Sequence, residues 1–134
     1  MTEQLSPLAL QALAVVEESG AIINANHAHP HTIRHKGRID LVTETDIAVE
    51  AFLKERLATL APQAGFLAEE SAEDLSLPDT CWIIDPVDGT TNFAHGLPLT
   101  VTSVAYRLNG EIVLGIVNAP LLRECFIAEK GKGA

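Results

Sequence analysis

The chain has 134 residues, with nine Lys and Arg against eighteen Asp and Glu, and a formal net charge of −9. Apolar residues make up 47% and charged residues 20%, the composition of a folding chain and the length of one domain or part of a larger one. The acidic balance argues against nonspecific binding to nucleic acid or an anionic membrane, although one bound cation could reverse the local field and admit a small anionic substrate.

Cys81 and Cys125 are too few for a disulfide scaffold, and their apolar, strand-like surroundings predict ordinary buried thiols. No run of eighteen apolar residues occurs, so no membrane span is expected. The acidic start Met1-Thr2-Glu3 lacks a basic n-region, so no secretory signal is expected and a reduced, cytoplasmic setting is the default. Four Phe, one Tyr and one Trp are sparse for a nucleic-acid stacking platform.

Ser6-Pro7 suits an N-cap and first helical position, and the apolar Leu8, Leu10, Leu13, Val16, Ile22 and Ile23 predict a helix to the low twenties. Residues 24–38 read as a polar connection with four histidines, His27, His29, His31 and His35. Their spacing matches no zinc pattern, and the expected role is a mobile surface segment.

Thr43 and Asp46 stand as in a capping box, and an amphipathic helix should follow, with Val49, Phe52, Leu53, Leu57 and Leu60 inward and Pro62 ending it. Gly65-Phe66-Leu67-Ala68 predicts a short strand running into the acidic pair Glu69-Glu70, with a loop over 72–80. Cys81-Trp82-Ile83-Ile84 predicts a buried strand ending at Asp85. Beyond Pro98, strands are expected over 99–106, 112–117 and 124–128, the first two joined by an Asn109-Gly110 hairpin turn. This is an α+β pattern: two helices, then a largely antiparallel sheet that the helices cover on one face.

The stretch with most chemistry is Asp85-Pro86-Val87-Asp88-Gly89-Thr90-Thr91. Carboxylates at the end of a buried strand are costly without partners. One reading is turn-making, with both aspartates accepting nearby backbone N–H bonds. The other is a hard cation such as Mg²⁺, held by Glu69, Asp85 and Asp88 if the two strand ends are neighbours, with the Val87 carbonyl adding a donor and Asp85 bridging two cations. Gly89 permits a tight turn, and backbone amides at Gly89, Thr90 and Thr91 would suit a phosphate.

Asp85-Pro86-Val87-Asp88-Gly89-Thr90-Thr91-Asn92-Phe93 resembles the signature of the inositol monophosphatase family. Asp40-Leu41-Val42-Thr43-Glu44-Thr45-Asp46, Glu69-Glu70-Ser71 and Gly131-Lys132-Gly133-Ala134 agree in order and spacing. The resemblance implies a Mg²⁺-dependent, commonly lithium-sensitive phosphatase of layered α/β/α/β/α architecture, often a homodimer. It implies that Glu69 and the Val87 carbonyl serve a first metal, that Asp85 bridges, and that Asp88 serves a second. Asp46 and Thr90 would orient the attacking water, Gly89, Thr90 and Thr91 would bind the substrate phosphate, and Asp40, Thr43 and Glu70 would support the site.

Family members are usually about twice this length, and their second half carries a further metal-ligating aspartate and the specificity residues. The expectation is therefore an N-terminal portion of a catalytic domain over 1–134. Lys36 stands near a lysine the family often has, with a spacer to Asp40 one residue short. Expected partners are a small phosphorylated substrate (inositol monophosphate, fructose 1,6-bisphosphate, a nucleotide 3′-phosphate or another sugar phosphate) and a second copy of the chain. A catalytically incomplete fragment or a noncatalytic regulatory module is the alternative.

Overall fold

A computed structural model describes residues 4–28, 37–68, 78–94 and 97–134, without the side chains of 28, 37–42, 91 and 94. In chain order the elements are α1 (Pro7–Ala28), α2 (Gly37–Leu60), β1 (Gly65–Ala68), β2 (Cys81–Asp88), α3 (Thr90–Ala94), β3 (Val101–Leu108), β4 (Glu111–Ala119) and β5 (Glu124–Glu129). The strands form one sheet in the order β1-β2-β3-β4-β5. Only β1–β2 is parallel; the other neighbours are antiparallel.

Ser6 caps α1 as its sequence position suggests: its Oγ accepts the Ala9 amide at 3.1 Å. The same hydroxyl donates to Glu129 at 2.5 Å, tying the first helix to the last strand. The buried stripe of α1 differs from the leucine-rich one expected. Ala9, Ala12, Val16 and Ile23 are fully buried, whereas Leu10 is 46% exposed. Small residues let α1 approach closely: a Cβ on Gly20 would lie 2.9 Å from both Asn118 Nδ2 and Pro120 Cβ. Residues 7–27 have the length and mean hydropathy, 1.3, of a possible span, contrary to the simpler count of apolar runs. Core packing accounts for that hydropathy, because the buried stripe faces the sheet and α2.

Three expected boundaries change. The polar connection is shorter at its start, because residues 24–28 continue α1. His27 is half-buried there, its ring 6.0 Å from that of Phe93, rather than on a mobile surface; His29, His31, His35 and Lys36 lie outside the described residues. The Thr43–Asp46 capping box is not a helix start, because α2 begins at Gly37 and runs through both. Residues 38–42 contain no Gly or Pro, and extending an existing helix adds a hydrogen bond per residue fixed, whereas starting a new one is costly. Finally, β2 does not stop at Asp85 but continues to Asp88 through a bulge.

The core lies between the helices and one face of the sheet. One buried cluster joins Val16 and Ile23 of α1 and Val49, Leu53 and Leu57 of α2 with Trp82 and Ile84 of β2, Val104 and Tyr106 of β3, and Ile116 of β4, α2 lying against β2 and α1 against β3 and β4. Trp82 and Tyr106 stack at a centroid distance of 4.4 Å. Burying each large apolar side chain contributes about 1.5–3 kcal/mol. On the opposite face the register aligns Asp85, Ser103, Val117 and Phe126, of which Phe126 is 60% exposed. Asn109 and Gly110 join β3 to β4 with φ of 52° and 83°, the two positive values of a type I′ turn.

Candidate active site

Side chains alternate along a strand, so residues three apart normally point to opposite faces. Asp85 and Asp88 escape that rule. Asp85 pairs with Ser103 and Asp88 with Val101, so three steps on β2 match two on β3. Ser103 and Val101 share a face, and their partners therefore share it too. The one-residue bulge thus turns two carboxylates to the same side at the end of β2. Asp85 is half-buried and Asp88 exposed.

The dry face of the bulge is held from β3. Thr102, fully buried, donates its hydroxyl to the Pro86 carbonyl at 2.8 Å. Val87 is 3% exposed and packs in the core, leaving its backbone carbonyl as its only polar donor to a metal. Gly89 then turns the chain at φ 88°. A Cβ there would lie 2.6 Å from the Leu99 carbonyl oxygen, so this turn demands glycine for space as well as for conformation. Asn92 Nδ2 donates to the same oxygen at 2.9 Å.

The first bond of α3 runs from the Phe93 amide to the Gly89 carbonyl at 3.0 Å. The amides of Thr90 and Thr91 precede that bond and so stand outside the helical ladder. The Thr90 side chain is exposed; that of Thr91 lies outside the described residues.

On the helical side, α2 packs against both β2 and α3. It carries Asp46, 7% exposed, beside Thr45, fully buried. Asn26 of α1 donates to Thr45 Oγ1 at 2.7 Å, so the end of α1 braces α2 next to Asp46. Thr43 is exposed on α2, and the Asp40 side chain is outside the described residues. Glu69 and Glu70 are likewise outside them. The last described pair of the parallel ladder is Ala68 with Ile84; the next residues in the sequence are Glu69 and Asp85.

Among the described residues, no group of three or more His, Cys, Asp and Glu is placed to hold a metal. The donor set proposed for a cation spans described and undescribed residues: Asp85, Asp88 and the Val87 carbonyl with Glu69. Its chemistry is all hard oxygen, which fits Mg²⁺. The two thiols offer no competing nucleophile. Burial pushes Cys81 up, Arg107 pulling weakly the other way, and burial pushes Cys125 up with help from the nearby Glu17 carboxylate. A polar cleft of about 410 Å³ lies elsewhere, between α1 and the β4–β5 end, lined in part by Glu17, Asn118, Arg123 and Cys125. It opens at the same end of the sheet, two strands over from β2, where Asn118 pairs with Thr102, and its charges are mixed.

Two supporting residues escaped the sequence reading. Thr102 and Asn92 look like a strand residue and a turn residue; only the register and the folded-back Leu99 show what they hold.

The family profile described as "Inositol monophosphatase family" matches residues 4–134. The chain belongs to the inositol monophosphatase family. It is 45% identical over 127 residues to the inositol monophosphatase of Dictyostelium discoideum, covering 92% of this chain and 47% of that protein. It is 35% identical over 133 residues to the Nus factor SuhB of Salmonella typhimurium, covering 97% and 50%. The solved structure of staphylococcal IMPase-II matches with a TM-score of 0.81 at 26% identity, covering 96% of this chain and 46% of that one. The chain thus spans about half the length of these family relatives.

Proposed function

We propose that this chain carries one part of a Mg²⁺-dependent phosphomonoesterase site, acting on inositol monophosphate or a similar sugar phosphate. The observation that supports the reading best is the bulge that sets Asp85 and Asp88 on one face, beside a parallel ladder whose last described pair is Ala68 with Ile84. Glu69, Asp85, Asp88 and the Val87 carbonyl would hold the cation. When bound, Mg²⁺ supplies Lewis acidity, neutralising phosphoryl charge and making water a better nucleophile. Thr90 with Asp46 would orient that water, Asp46's buried position on α2 limiting its freedom. The amides of Gly89, Thr90 and Thr91 would receive phosphate oxygens, and Asp40, Thr43 and Glu70 would brace the surrounding groups.

The test is calorimetric titration of the chain with Mg²⁺, paired with phosphate release from inositol monophosphate, fructose 1,6-bisphosphate and a nucleotide 3′-phosphate. Asp85→Asn should weaken Mg²⁺ binding by more than about 100-fold, since even indirect partners of metal ligands cost roughly 10–100-fold. Little turnover is expected from the 134-residue chain itself, because it spans half of its relatives. In a full-length relative carrying the same motif, the equivalent replacement should remove most of the rate; near-normal turnover would refute the assigned role.

A noncatalytic regulatory role is the second reading, favoured by the 35% identity to a protein named as a Nus factor. A folded chain that binds no Mg²⁺ would favour it. We also propose self-association through the face bearing Val117 and Phe126, 38% and 60% exposed. Light scattering should then show a dimer or larger species, and a monomer at high concentration would contradict it.

A further inference from the structure

We infer that Thr102 is a positioning residue for the acidic turn, acting through the Pro86 carbonyl; the inference rests on the metal-site reading above. A bulge interrupts the regular ladder, and every carbonyl inside it needs a donor. Pro86 and Val87 fall between the pairs Asp85–Ser103 and Asp88–Val101, so Thr102 is the one β3 residue opposite them. Pro86 contributes no N–H to the ladder. Its carbonyl takes the Thr102 hydroxyl at 2.8 Å, in a place where Thr102 is fully buried and Pro86 is less than 2% exposed.

Packing does not require that hydroxyl. A buried β3 position next to Val104 would accept valine, which has the same branching and nearly the same volume. An unpaired hydroxyl there would be costly, and this one is paired. Its effect is directional. The peptide is planar, so anchoring the Pro86 oxygen fixes the plane of the Pro86–Val87 peptide. That plane sets the starting orientation of Val87, whose carbonyl is a candidate ligand, and then of Asp88. The anchor pulls from the helix-covered face, and the carboxylates stand on the other. Thr102 therefore shapes the site without reaching any ligand in it.

The experiment compares the wild-type chain with Thr102→Val and Thr102→Ser, using Mn²⁺ as the probe. Mn²⁺ affinity is read by electron paramagnetic resonance. The metal-free geometry is read from the Pro86 carbonyl ¹³C shift and Val87 amide exchange. Thr102→Val should weaken Mn²⁺ binding by about 10-fold, the lower end of the range for groups that bond a metal ligand directly, because Thr102 acts one peptide further back through Pro86. It should also shift the Pro86 carbonyl signal, with far-UV dichroism unchanged. Thr102→Ser keeps the hydroxyl and should restore both readouts.

Unchanged Mn²⁺ affinity in Thr102→Val, beside a wild type that binds, would overturn the inference while leaving the metal-site reading intact. An unmoved Pro86 signal would overturn it as well. Absence of Mn²⁺ binding by the wild type would overturn the metal-site reading and this inference with it. Loss in Thr102→Ser without loss in Thr102→Val would show that side-chain volume, not the hydroxyl, matters at this position, and would overturn the inference; so would equal loss in both, since the retained hydroxyl would then restore nothing.

Discussion

Gly89 and Gly110 sit in turns with nearly the same φ, 88° and 83°, yet they are held in different ways. The nearest atom to a Cβ on Gly110 would be the tip of Arg107 at 3.8 Å, ordinary contact with a flexible side chain. On Gly89 it would be the Leu99 carbonyl oxygen at 2.6 Å, part of the backbone and also the acceptor of Asn92. The hairpin turn is reached by a distant segment too, the Gly110 amide donating to the Asp79 carbonyl at 2.8 Å and the Asn109 amide to Thr80 Oγ1 at 3.2 Å, but that segment leaves room for a side chain. The turn after Asp88 is also closed by a segment ten residues away, and this is the turn that presents the candidate phosphate amides.

The sharpest way to break that contrast is Gly89→Ala. A left-handed conformation costs a non-glycine residue about 1–2 kcal/mol. Overpacking against this backbone oxygen, two residues before β3 and already bonded to Asn92, adds about 1–3 kcal/mol. A loss of about 3 kcal/mol is expected in urea unfolding, with Mg²⁺ binding lost as the turn is displaced. A loss below about 1 kcal/mol would mean that Leu99 yields freely, and the two turns would be equivalent.

Gly110→Ala is the matching control. Only the conformational cost remains, so about 1 kcal/mol should be lost. Mg²⁺ affinity should stay unchanged, because the hairpin lies at the far end of β3 from the β2 bulge. A titration showing weaker binding in this variant would mean that the two turns are coupled.

The same contrast explains what could be read before any coordinates. The Asn109-Gly110 hairpin, the helix stop at Pro62 and the Ser6 cap are local, and a few adjacent residues determine them. The bulge is not local. Asp85-Pro86-Val87-Asp88 reads as a strand end followed by a turn, because proline rarely continues a ladder. Its continuation depends on Thr102, Ser103 and Val101, more than a dozen residues later. The false start of α2 at Thr43 failed for the opposite reason: a correct local signal was overridden by a helix already under way from Gly37. The acidic residues were legible as a group because of their chemistry. That Asp85 and Asp88 share a face was not, since spacing alone sends them apart.

The longest-range tie is also the mildest to cut. Ser6 links α1 to β5 across 123 positions, donating its hydroxyl at 2.5 Å and its amide at 2.9 Å to Glu129. These hydrogen bonds, with Lys132 nearby, hold the Glu129 carboxyl below the usual carboxylate range. A lowered folded-state pKa means stability that is present above the unfolded value, about 4.3 for Glu, and lost as pH falls through the folded one. Ser6→Ala removes the hydroxyl bond and also the cap on Ala9, whose loss costs about 1 kcal/mol at any pH. Urea unfolding from pH 7 downward should therefore show a wild-type advantage with two parts, a constant one from the cap and a smaller one that fades below about pH 4. An advantage that stays flat across that range would leave the cap as the whole effect. The link to Glu129 would then add nothing, and α1 would be held to the sheet by its buried stripe alone.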